Sequence, residues 1–130
     1  MMRPALEPVH TSSAPQAIGP YSQGIRVGPF IYTAGQGGID PASGQIVAGG
    51  VEAETRQVWN NLKAVLEAAG SSLAAVVKVN VYMVDLNEFG KMNAIYAEFF
   101  PEVKPARTTV QVAALPRGLL VEIDCVAYAG

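Results

Sequence analysis

The run Val76-Val-Lys-Val-Asn-Val-Tyr-Met-Val84 admits few folds. Extended chain points successive side chains to opposite faces, so Val77, Val79, Val81 and Met83 share one face and Lys78, Asn80 and Tyr82 the other. A strand that is dry on one side and wetter on the other asks for a sheet covered on one face. Val51–Ala69 supplies a cover. Val51, Thr55, Val58, Leu62, Val65, Leu66 and Ala69 recur at steps of three and four, which turns one helical stripe toward a core. Glu52 and Glu54 suit the positive end of the helix dipole, and Gly70 closes the last turn. Trp59, beside the stripe, reads as packing. A second helix follows from Asp85-Leu-Asn87, a capping sequence, with Phe89, Met92, Tyr96, Phe99 and Phe100 as its apolar stripe and Pro101 as its stop. Asn93 falls within that stripe, either as a satisfied hydrogen bonder or as a ligand contact.

The remaining strands are shorter. Ile25–Val27 and Phe30–Ala34 flank the turn at Gly28-Pro29. Pro105–Val110 and Val121–Asp124 read as a closing hairpin through Leu115–Gly118, a register that sets Gln111 opposite Glu122. Gly35–Gly44 lacks the patterns of a phosphate-binding loop, so its glycines mark positive φ or close approach of backbone to a ligand. Strands before, between and after two helices define an α+β domain: one sheet with both helices on one face. Residues 1–15, with three prolines, are expected as a flexible lead-in and residues 16–130 as the single folded domain.

Charge narrows the function classes. The 130-residue chain has a formal net charge of −2 and no Lys/Arg-rich window, which argues against a nucleic-acid or anionic-membrane partner. Half of its residues are apolar and only 15% charged, so part of its surface is expected to be covered by other subunits. No segment is long and apolar enough to span a membrane, and the leader does not read as a secretory signal. One cysteine, Cys125, permits no internal disulfide and fits a reducing, cytoplasmic setting. A single histidine, His10, leaves no metal cluster and no Ser-His-Asp or Cys-His system.

The closing strands carry the chemistry. Arg107, Thr109 and Gln111 share one face of theirs; Glu122 and Asp124 share one face of an otherwise apolar run. Charges in such strands are costly unless paired, hydrated or used on a ligand. They form either an ordinary solvated ion pair or a guanidinium fork for a carboxylate beside an acid that handles water or a proton.

Ile18-Gly-Pro-Tyr-Ser-Gln-Gly24, Thr33-Ala-Gly-Gln36, Asp85-Leu-Asn-Glu-Phe89, Met92-Asn-Ala-Ile-Tyr96, Pro105-Ala-Arg107, Leu115-Pro116 and Val121-Glu-Ile-Asp124, in this order, resemble the RidA (YjgF) family of enamine/imine deaminases. The resemblance implies a chorismate-mutase-like fold with a mixed sheet, a homotrimer, and clefts between subunits. It implies hydrolysis of 2-imino acids to 2-oxo acids and ammonia without a cofactor, as a 2-iminobutanoate/2-iminopropanoate deaminase. By position, Arg107 matches the residue that grips the substrate carboxylate and Glu122 the acid that activates water. Tyr21 and Asn93 match cleft residues, and Gly35 lies on the loop that approaches the ligand. The pocket departs from many members at Thr109, where they have cysteine, and at Ala34, where they have serine. Neither change removes the clamp or the acid. Two other readings remain: a non-catalytic module that binds 2-oxo acids or small metabolites in the same cleft, and RNA cleavage, attributed to some relatives but at odds with the acidic balance.

Overall fold

The computed structural model describes residues 5–129. Residues 1–4 of the expected lead-in and Gly130 lie outside the described residues. In chain order the strands and helices are β1 (Leu6–Val9), β2 (Gly24–Val27), β3 (Phe30–Thr33), β4 (Gln36–Gly37), α1 (Gly50–Ala68), β5 (Val76–Met83), α2 (Phe89–Phe99), β6 (Ala106–Gln111) and β7 (Val121–Tyr128). The seven strands form one mixed sheet in the order β1-β2-β3-β7-β5-β6, with β4 continuing along β7 beyond β3. It is an α+β fold.

Both helices lie on one face. Ile31, Val79, Val81, Met83, Val121, Ile123 and Ala127 meet Val58, Leu62, Val65 and Leu66 of α1 and Met92 and Tyr96 of α2 in a continuous core. Trp59 is fully buried and stacks edge-on against Tyr96 and Phe100, locking the two helices together. The end of α1 is a Schellman cap. Gly70, at φ 84°, lets its own N–H reach Glu67 O at 3.1 Å and that of Ser71 reach Leu66 O at 2.8 Å. Among the described residues no helix is long and apolar enough to cross a membrane.

Three expectations need correction. The closing strands are not a hairpin, because β5 lies between them, parallel to β6 and antiparallel to β7. The covered face of β5 rewards insertion between two partners, and the long connection through α2 delivers β6 in parallel. Val77 is not on the dry face. A bulge sets Val76 opposite Ala127 and Lys78 opposite Val126, so Val76 turns inward and Val77 outward. Residues 6–9 of the expected lead-in are strand β1, antiparallel to β2. The adjoining segment is held by Gln23, whose buried amide donates to the carbonyls of Thr11 and Pro15.

Candidate active site

The sequence-predicted residues gather into two groups on opposite faces of the sheet. Arg107 lies beside Val79 in the β5–β6 register and therefore points toward the helices. Its guanidinium carbon sits 4.5 Å from the ring centre of Tyr96 and 5.4 Å from that of Phe89. Arg107 Nη1 donates to Asn93 Oδ1 at 2.8 Å. Phe89, Asn93 and Tyr96 are spaced i, i+4, i+7, so one face of α2 provides two aromatic shelves and a polar stop for one arginine. Among the described residues Arg107 has no carboxylate partner; the ion pairs are Arg56–Glu98 and Lys91–Glu88. Thr109, one pleat further along the same face, has a buried hydroxyl without a hydrogen-bond partner. The guanidinium borders a cleft of about 380 Å3, lined also by Asn93, Tyr96, Phe100, Lys104 and Pro105. The burial of the Tyr96 hydroxyl pushes its pKa up, against the opposing pull of Arg107.

Glu122 is on the face the helices leave bare. It pairs with Gly37 of β4 and Tyr82 of β5, alongside Asp124, whose Oδ1 accepts from Asn80 Nδ2 at 2.8 Å. Burial, with Asp124 adding like charge, raises the Glu122 carboxyl above the usual carboxylate range. Its nearest wall is the break between β3 and β4. Tyr32 pairs with Val126 and Gln36 with Ile123, so the chain from 32 to 36 inserts one extra residue at Ala34–Gly35. A Cβ on Gly35 would lie 2.5 Å from Glu122 Oε2, so glycine lets the backbone rest on the carboxylate. Gly38 is likewise demanded by contact, its missing Cβ falling 2.6 Å from Glu54 Cα. The expectation of positive φ fits Gly44, at 72°, but not Gly35, Gly37 or Gly38, which are pinned by close approach. Buried Asn61 fastens the loop by donating to the carbonyls of Gly37 and Ile39.

Tyr21 is half exposed on the loop before β2, its hydroxyl accepting from the Ile18 N–H at 3.4 Å. Ala34 N–H donates to Gln23 O at 2.9 Å, which draws that loop to the Ala34–Gly35 bulge. Tyr21, Ala34, Gly35 and Glu122 thus belong to the β2–β3–β4 side, and Asn93, Arg107 and Thr109 to the β6 edge. Within one chain Glu122 and Arg107 do not face a common space. Cys125 offers no alternative nucleophile: burial pushes its thiol up to about 12. Among the described residues no group of three His, Cys, Asp or Glu side chains could hold a metal ion. The sequence named Phe89 and Tyr96 only as core stripe. Their spacing around Asn93 was the available signal of a shared role.

Residues 11–129 match the model of the family described as endoribonuclease L-PSP. The chain belongs to this family, the YjgF/RidA family. It is 54% identical over 122 residues to a RutC family protein of Pyrococcus horikoshii, covering 94% of this chain and 97% of that one. It is 50% identical to the mouse (Mus musculus) protein named 2-iminobutanoate/2-iminopropanoate deaminase, covering 94% of this chain and 90% of the relative. The crystal structure of RidA from the Antarctic bacterium Psychrobacter superposes with a TM-score of 0.91 at 44% identity, covering 94% of this chain and 98% of that one. For this RidA-family chain, the motif that contributes Arg107 and the motif that contributes Glu122 therefore sit in a family fold, on opposite faces of its sheet.

Proposed function

We propose that this protein hydrolyses reactive 2-imino acids of the 2-aminoacrylate type to 2-oxo acids and ammonia. The observation that carries the reading is a pair of unspent charges. Among the described residues Arg107 is stacked and oriented with no acid to neutralise it, and Glu122 is half-buried with no cation paired to it. A charge kept from water without a partner is costly, and a bound carboxylate would relieve Arg107. Relatives that carry the deaminase name, at about half identity over nearly the whole chain, support the same reaction.

The chemistry asks little of the protein. A protonated imine is already electrophilic, so orientation and one placed water suffice. Arg107 holds the substrate carboxylate and sets the plane of the C=N bond. Glu122, ionised, takes a proton from water as the new C–O bond forms. It returns that proton to nitrogen; as the C–N bond breaks and ammonia leaves, the hydroxyl proton passes back to Glu122 and the carbonyl forms. No oxidant or cofactor enters the balance. Tyr21, Ala34 and Gly35 wall the water side, and Asn93 and Thr109 the carboxylate side. Because the two halves lie on opposite faces of one sheet, the site is completed by a neighbouring chain in a homotrimer. The bare face carries Phe30, Tyr32, Val110 and Tyr128 exposed, apolar surface suited to burial between subunits.

The test is ammonia release from 2-iminopropanoate generated in situ by a dehydratase. Acceleration by the wild-type protein that is lost in Arg107→Ala supports the assignment. Binding of 2-oxo acids with no acceleration would instead make the chain a non-catalytic metabolite-binding module.

A further inference from the structure

Among the described residues the cleft beside Arg107 is lined by a second cationic side chain, Lys104, and by no acid. Lys104 lies in the segment that leads into β6, and its Nζ donates to the carbonyl of Phe100 at 2.6 Å. Phe100 caps the C-terminal end of α2, where the helix dipole favours positive charge. The lysine is therefore moored to the cleft wall while its surface stays open to solvent. Glu98, in the last turn of α2, is held by Arg56 at 2.9 Å, so the nearby helix acid is already engaged elsewhere. Neither Lys104 nor Arg107 has a carboxylate partner among the described residues. Like charges sharing one cleft repel, and an anion that touches both relieves that repulsion twice.

The geometry points to a substrate with two acidic ends: a 2-imino acid whose side chain bears a second carboxylate. Its α-carboxylate sits on Arg107 and its side-chain carboxylate on Lys104. The assignment rests on the deaminase reading and leaves the reaction unchanged; Lys104 acts on selection alone. A neutral imino acid occupies Arg107 and leaves Lys104 hydrated, whereas a dicarboxylic one engages both.

The imines of aspartate and of 2-aminobutanoate, each made in situ by an amino-acid oxidase, provide the comparison. The readout is the ratio of their kcat/KM values for wild type, Lys104→Met and Lys104→Arg. Wild type is expected to favour the acidic imine. Lys104→Met should lower the ratio about ten-fold, mainly through KM, the scale of one lost charged hydrogen bond in a half-open site. Lys104→Arg should restore most of it. A ratio unmoved by Lys104→Met, or a wild-type enzyme that turns over only the neutral imine, overturns the assignment and leaves the deaminase reading standing. If wild type hydrolyses neither imine, both fall together.

Discussion

At the scale of single residues, the proposed reaction depends on two charges with different environments. Arg107 is held by stacking and one amide, so Arg107→Ala should abolish imine hydrolysis while far-ultraviolet circular dichroism stays unchanged. Arg107→Lys should also be poor, because an ammonium supplies neither the fork nor the flat face that rests on Tyr96. Glu122→Gln should lose on the order of 10²-fold in kcat or more, the usual worth of a general base. The Glu122 carboxyl is raised by burial and by Asp124, so the acid limb of kcat/KM should lie above its ordinary value of 4.5. Activity needs the ionised form and falls as pH drops through that raised pKa. Asp124→Asn should move the limb to lower pH, as a pH–rate profile would record. The sign for stability is the reverse. A raised folded-state pKa contributes stability below the unfolded value, lost as pH rises through the folded one. Arg107 and Glu122 stood out in the sequence as charges placed in strands, but spacing alone left an ordinary ion pair open and only the family resemblance gave them roles. Lys104 did not stand out, since a lysine near a loop proline looks like solvated surface until the turn after α2 brings it to the cleft.

At the scale of elements, α1, α2 and the alternation of β5 were readable, because periodicity reports directly on which side is dry. The partner of each strand was not. Breaker residues at Leu115–Gly118 suggested a hairpin, but nothing local encodes that β5 comes between β6 and β7. The same blindness hid both bulges, since an extra residue shows only against a partner strand. Of the two, the insertion at Ala34–Gly35 has the larger consequence. Gly35→Ala should push Glu122 aside and lower kcat with little change in melting temperature, because Gly35 is exposed and its conflict is with one side-chain tip. By contrast, Trp59→Ala should destabilise the fold by about 3–5 kcal/mol in denaturant titration, the range for deleting a buried aromatic. Gly70→Ala should cost about 1–2 kcal/mol, since a Cβ in left-handed conformation crowds the following carbonyl.

At the scale of the whole molecule, one chain presents half of the proposed site on each face of its sheet. The low charge content hinted at buried subunit contacts, and the bare face of Tyr32, Val110 and Tyr128 gives that hint a location. What the sequence could not contain was the division itself, because face assignment depends on the register of β6 and β7 against β5. If a cation from one protomer meets a base from the next, two dead proteins can repair each other. Arg107→Ala and Glu122→Gln, each inactive or strongly impaired alone, should regain activity when unfolded together and refolded as mixed copies of the proposed trimer. Random assembly pairs an intact Arg107 with an intact Glu122 in about a quarter of the clefts, so recovery should approach that share of wild-type turnover. Mixed trimers verified by mass that show no imine hydrolysis above either parent would contradict the shared site.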